Sequence, residues 1–187
     1  MDQGHGLLAA ADRPGPARTE EPGSPGANHR FGAPYSGRMS LAGEYEPSPS
    51  EWVRNQVAEY EASGGAKANT LLDTGLPVII VSTRGNKSGK VRKTPLMRVE
   101  HDGEYALVAS KGGDPKHPVW YYNLLADPEA VVLQDGSEPF EVSVREASGD
   151  EKREWWDRAV AAYPPYAEYQ AKTDRQIPLF IATPKGR

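Results

Sequence analysis

Three groups of residues in this chain are typed and spaced for chemistry. The first is Tyr163, Tyr166 and Tyr169. At about 100° per residue, their spacing keeps them within an arc of about 120° on one helix face. Three phenols on one surface could line an aromatic substrate pocket and donate a hydrogen bond or a proton. An amphipathic core stripe with its hydroxyls at the solvent edge explains the same spacing. The second group is Ser110-Lys111-Gly112-Gly113, which follows an apolar run. Two glycines there let backbone approach a ligand closely, while Lys111 adds charge and Ser110 a hydroxyl. A flexible strand-exit loop is the alternative. The third is a basic stretch. Arg84, Lys87, Lys90, Arg92, Lys93 and Arg98 fall within one segment that contains no acid, on a chain of net charge −4. A local basic patch on an acidic protein points to a specific anionic ligand more than to general polyanion binding. A solvated hairpin tip with surface lysines stays open.

Several chemistries are excluded or weakened. Gly85-Asn86-Lys87-Ser88-Gly89-Lys90-Val91 is not a nucleotide phosphate loop. That motif needs four residues between its glycines and a hydroxyl residue after its lysine. Here three intervene and Val91 follows. With no cysteine there is no thiol nucleophile, disulfide or thiolate-held metal. His5, His29, His101 and His117 show no ligand spacing, so no metal site is expected. No nucleophile–His–acid set supports a hydrolase. No run of apolar residues is long enough to span a bilayer, and no secretory signal is expected.

The positioning elements are short. Ser50 is placed to cap a helix over 51–62 whose Trp52, Val53, Val57 and Tyr60 share a face. Strands are predicted over 77–83, 91–100 and 104–110. Pro95 marks an edge or bulge, and Asp102-Gly103 a hairpin. Arg92 and Lys93 alternate faces, so only one is expected on the ligand side. Pro118 opens a helix through Trp120, Tyr121, Asn123 and Leu124, which Asp127-Pro128 ends. Two further strands, 129–134 and 139–146, flank Asp135-Gly136. The Ser148/Glu151 pair has capping-box spacing for a helix to about 162. Pro164-Pro165 restarts the chain into a short helix, and 177–183 is a last strand. About six mainly antiparallel strands with inserted helices predict a small barrel in an α+β protein. Residues 1–38 are rich in Gly, Pro and Ala and lack apolar periodicity. They are expected to form a disordered extension, with 39–187 as the folded domain and Met39 as a candidate true start.

Five segments taken in order resemble the deazaflavin-dependent nitroreductase family of actinobacteria. They are Ser82–Gly89, Arg92–Leu96, Ala109–Gly113, Pro118–Leu124 and Tyr163–Tyr169. The resemblance covers about 75–181. It implies a split β-barrel of the flavin-reductase type, and reduced coenzyme F420 as hydride donor. F420 is a 5-deazaflavin with a phosphate and an oligoglutamate tail. By matching position, cofactor contacts are expected at Asn86, Lys87 and Ser88, then at Arg92, Lys93, Thr94, Pro95, Leu96 and Met97. They continue at Val108, Ala109, Ser110 and Lys111, at Val119, Trp120, Tyr121, Tyr122 and Asn123, and at Tyr166. Lys87, Arg92 and Lys111 are expected to anchor phosphate and glutamates. The reacting side falls on Ser110, Tyr163, Tyr166 and Tyr169. Asn86 stands where a basic residue often sits, and Met97 where some members have an aromatic.

The function implied is hydride transfer from reduced F420 to a quinone, nitroaromatic or activated enone. Two alternatives stand beside it: an FMN-dependent oxidoreductase on the same fold, and a non-catalytic F420 carrier. Expected partners are a small-molecule acceptor, no nucleic acid, at most peripheral membrane contact, and a second copy of the chain as a candidate. The expected location is cytoplasmic, extending to the inner face of the membrane.

Overall fold

The structure, a computed structural model, describes residues 41–186. The disordered extension over 1–38 and the start at Met39 lie outside the described residues.

One antiparallel sheet contains β1 (Val78–Arg84), β2 (Val91–Met97), β3 (Glu100–His101), β4 (Glu104–Val108), β5 (Val131–Gln134), β6 (Pro139–Glu146) and β7 (Leu179–Pro184). Its spatial order is β2-β1-β5-β6-β7-β4-β3. The single strand expected over 91–100 is therefore two. The break falls at Arg98-Val99, where the chain changes partners. Arg98 N donates to Pro77 O at 2.9 Å beside β1, while Val99 O accepts from Ala106 N of β4 at 2.8 Å. Because β2 and β3 are the two ends of the sheet order, this crossing joins the ends covalently. The sheet must curl, which gives the half-barrel. Pro95, which lacks an N–H, sits on edge strand β2 as its chemistry requires.

β1 is buried on both faces, so it reads as an unbroken apolar run rather than an alternation. Val78 and Ile80 pack with Val53, Val57 and Tyr60 under the helices. Ile79 and Val81 face the curled interior with Leu107, Leu133 and Phe180.

The described helices are α1 (Glu51–Ala62), α2 (Val119–Ala126), α3 (Gly149–Ala162) and α4 (Pro165–Ala171). Their boundaries follow the sequence, but their caps do not. Ser50 occupies the N-cap of α1 without a side-chain cap bond. Arg54 Nη1 instead binds the carbonyls of Ser48 and Pro49 at 2.9 and 2.8 Å. Ser148 and Glu151 do not form a capping box either. Glu151 takes both guanidinium donors of Arg145 on β6, each at 2.6 Å. A bidentate ion pair outcompetes a neutral backbone donor for a carboxylate. No helix among the described residues is long and apolar enough to cross a membrane.

Candidate active site

A cleft opens between β2, the exit of β4, the start of α2, and the corner where α3 meets α4. It holds about 1040 Å³ of empty space, its open mouth included. Its lining brings together the three groups that the sequence separates widely: Ser110 and Lys111, Arg92 and Lys93, and Tyr163, Tyr166 and Tyr169.

The tyrosines converge, though not as one helix face. Tyr163 is the C-cap of α3, at φ −143° and ψ 88°, and only Tyr166 and Tyr169 ride on α4. Pro164 and Pro165 break the helix between them, since a proline following an α-helical turn removes a donor and restricts its predecessor. The rings pack as a triangle. Tyr163 and Tyr166 meet edge-on with centroids 5.0 Å apart, and Tyr169 lies 6.2 and 6.3 Å from the two. The Tyr163 and Tyr169 hydroxyls are 3.2 Å apart. All three residues are buried, not edged with solvent. Burial raises the phenol pKa of each, most strongly at Tyr166 and Tyr169. These groups therefore stay protonated and act as donors.

Opposite them lies the exit of β4. Ser110 leads into a tight helical turn, Lys111–Gly113. All three turn residues are left-handed, with φ of 46°, 63° and 80°. Glycine is suited to that region and lysine is not. Gly113 is also needed for space. A Cβ there would sit 2.6 Å from the Tyr169 carbonyl oxygen, so this turn and α4 touch backbone to backbone.

The cationic rim differs from expectation in one respect. Both Arg92 and Lys93 line the cleft. Their strand is the sheet edge and both side chains are long, so alternation does not hide either head group. Each meets a carboxylate of the chain's own N-terminal part. Arg92 pairs with Glu46. Lys93 Nζ lies 2.5 Å from Glu61 Oε1 and 4.7 Å from the Tyr45 ring centre. Thr94, Pro95, Leu96, Met97, Val108, Val119, Trp120 and Asn123 complete the wall from the predicted set. Asn123 also fixes the wall. Its Oδ1 accepts from Asn86 N at 3.0 Å, and its Nδ2 donates to Thr83 Oγ1 at 3.2 Å.

Other predicted residues lie outside the lining. Asn86, Lys87 and Ser88 form the exposed β1–β2 tip. Ala109 is fully buried, and its N–H donates to Pro178 O at 2.9 Å. Tyr121 stacks on His117, with centroids 4.2 Å apart, and Tyr122 is exposed on the outside of α2.

Sequence reasoning missed Ser48, Pro49, Trp52 and Val53, which roof the cleft from α1 and the segment before it. Their helix was legible; its position over the sheet edge was not. Glu46 and Glu61 were missed because ion partners distant in sequence leave no local pattern. Arg175, which binds the backbone behind Ser110, was also missed.

A family model described as F420H(2)-dependent quinone reductase matches residues 52–184. The F420H(2)-dependent quinone reductase Rv1261c of Mycobacterium tuberculosis is 36% identical over 110 residues, covering 57% of this chain and 73% of that protein. A solved F420-H2 dependent reductase (FDR-A) is 58% identical with a TM-score of 0.54, covering 57% of this chain and 93% of that one. A solved chain titled as a domain-swapped dimer is 52% identical with a TM-score of 0.56, covering 72% of this chain and 99% of that one.

Proposed function

The chain belongs to the F420H(2)-dependent quinone reductase family, and from that premise we propose how its cleft carries out the reaction. Its cofactor is reduced F420 and its acceptor is of the quinone type. The carrying observation is that one cleft joins a cationic rim to a buried tyrosine corner.

The donor set fits the cofactor. Arg92 and Lys93 already hold the carboxylates of Glu46 and Glu61, which is the chemistry of a glutamate tail. Arg92, Lys93 and Lys111 would hold the phosphate and tail glutamates, and the exposed Lys87 is a further candidate. Met97, Val108, Val119 and Trp120 supply the apolar wall for the ring. When bound, reduced F420 supplies the hydride, and the protein contributes orientation and electrostatics.

The acceptor lies against the tyrosines and Ser110. Among the described residues the Tyr166 hydroxyl makes no hydrogen bond, and it is free to donate one to an acceptor oxygen. Its raised pKa makes it a hydrogen-bond donor rather than a proton source, because burial penalises tyrosinate. The acceptor takes up one proton besides the hydride, and one is released on oxidation of reduced F420, so the overall reaction draws no net proton from solvent. Trp52 and Val53 of α1 close the roof and exclude water.

Nitroaromatics and activated enones are proposed as further acceptors. A homodimer and a cytoplasmic location, with at most peripheral contact at the inner face of the membrane, belong to the same proposal. Light scattering and cell fractionation test these last two.

The central test titrates purified protein with F420 and with FMN, then follows oxidation of reduced F420 by menadione. The expectation is F420 binding, turnover, and a fall of about 10²-fold or more in kcat for Tyr166→Phe, the lower range for a positioned donor. Tight FMN binding without F420 binding would defeat the reading. F420 binding without oxidation by any acceptor would leave a carrier.

A further inference from the structure

Arg175 lies in the loop between α4 and β7, outside the cleft lining. Its guanidinium makes five polar contacts. Nε donates to the Asp114 carbonyl at 2.7 Å. Nη1 donates to the Ala109 carbonyl at 3.1 Å and lies 3.2 Å from His117 Nδ1. Nη2 donates to the Ala109 and Ser110 carbonyls at 3.1 and 2.7 Å. All three carbonyls belong to the strand exit that carries Ser110 and Lys111.

The arginine is itself anchored to the tyrosine helix. Gln170 of α4 donates from Nε2 to the Arg175 carbonyl at 2.9 Å, and its Oε1 accepts from Ile177 N at 2.9 Å. A continuous polar path therefore runs from the helix of Tyr166 and Tyr169, through Gln170 and Arg175, to the backbone of Ser110. The turn it reaches needs holding, because Lys111 sits at φ 46°, where a side-chain-bearing residue is strained. A planar fork suits this task. It spreads fixed donors over several carbonyls, whereas an ammonium offers one compact point of charge.

We propose that Arg175 is a positioning residue for the reaction. It sets the loop bearing Ser110 and Lys111 at a fixed distance from Tyr166 and Tyr169, and touches neither substrate nor cofactor. The proposal rests on the F420-dependent reading of the cleft.

The test uses the full chain with R175K and R175Q. Tm is measured, F420 affinity is taken by equilibrium titration, and kcat is measured with reduced F420 and menadione. R175K is expected to lower Tm modestly, because one ammonium cannot replace every carbonyl bond, while the folded protein's kcat falls roughly ten- to a hundred-fold, the cost of misplacing reacting groups. F420 Kd is also compared in K111A, R175K and the double variant. If Arg175 acts by placing Lys111, the two effects are sub-additive, because the ammonium is already displaced in R175K. A purely structural role lowers Tm and leaves the two effects additive. Wild-type kcat in R175K, or additivity with K111A, overturns the proposal. Should R175Q fail to fold, R175K decides alone. Wild-type protein that neither binds F420 nor oxidises its reduced form would remove the underlying reading, and this role with it. Wild-type turnover alongside an unaffected R175K removes the role of Arg175 only.

Discussion

Lys111 is the residue at which sequence and geometry agree most usefully. It follows a buried strand, sits half-buried in the cleft wall and carries its charge at a left-handed turn position. Substitution by alanine leaves the backbone strain in place and removes the ammonium. Lys111→Ala is therefore expected to weaken F420 binding by about 1–3 kcal/mol, the range for a hydrogen bond to a charged group. Titration of F420 into both proteins checks this, and an unchanged Kd would take Lys111 out of the site. Residue types at Ser110, Lys111 and the three tyrosines were legible because each carries an unusual local signature. Arg175 was not, since one arginine before an apolar strand looks like any surface cation. Its meaning comes from three carbonyls some 60 positions earlier in the chain. Arg92 and Lys93 were legible as cations. Their pairing with Glu46 and Glu61 was not, because ion partners distant in sequence leave no local pattern.

Two elements make the site by contact of their backbones, the Lys111–Gly113 turn and α4. Gly113 is the hinge of that contact, and Gly89 supplies the control. Both are left-handed, at φ 80° and 70°, yet an added Cβ at Gly89 would meet nothing within 4 Å. Gly89→Ala should cost only the conformational penalty, about 1–2 kcal/mol. Gly113→Ala carries the same penalty plus a clash with a carbonyl that moves only if α4 moves, adding roughly 1–3 kcal/mol. Thermal or denaturant unfolding of the two variants checks the difference, and Gly113→Ala should also lose turnover while Gly89→Ala keeps it. Equal stability losses would mean that the turn and helix are not tightly apposed. Element boundaries were readable here because prolines and glycines punctuate them. The capping box at Ser148 was misread because Arg145 offers Glu151 a better partner, while Ser50 holds the N-cap position of α1 without a side-chain cap bond. The tyrosine triad was read as a helical stripe, and it is instead a corner between two helices that the sequence places end to end.

At the scale of the molecule, the fold depends on where the sheet closes. Sequence periodicity located the strands but could not show that the second one changes partners at Arg98-Val99, because both halves are equally extended. The closure is held by a polar cluster. Tyr105 of β4 donates its hydroxyl to Asp135 Oδ2 at 2.9 Å, and Arg98 Nε donates to the same oxygen at 2.8 Å. Three segments far apart in sequence thus meet on one carboxylate. Burial first, and then the hydrogen bond to Asp135, raise the Tyr105 phenol to about 12. In the unfolded chain a tyrosine titrates near 10. The folded state holds its proton more tightly, so this stabilisation is complete below pH ~10 and is lost as pH rises through about 12. The buried phenols at 60, 163, 166 and 169 shift in the same direction, so Tm should fall on the alkaline side in the wild type. Tyr105→Phe should have a lower Tm at neutral pH and a shallower decline between pH ~10 and ~12, because one of the linked protons is gone. Differential scanning calorimetry across that window checks it. Parallel declines in the two proteins would show that Tyr105 titrates alike in the folded and unfolded states, and that the closure is held by packing alone.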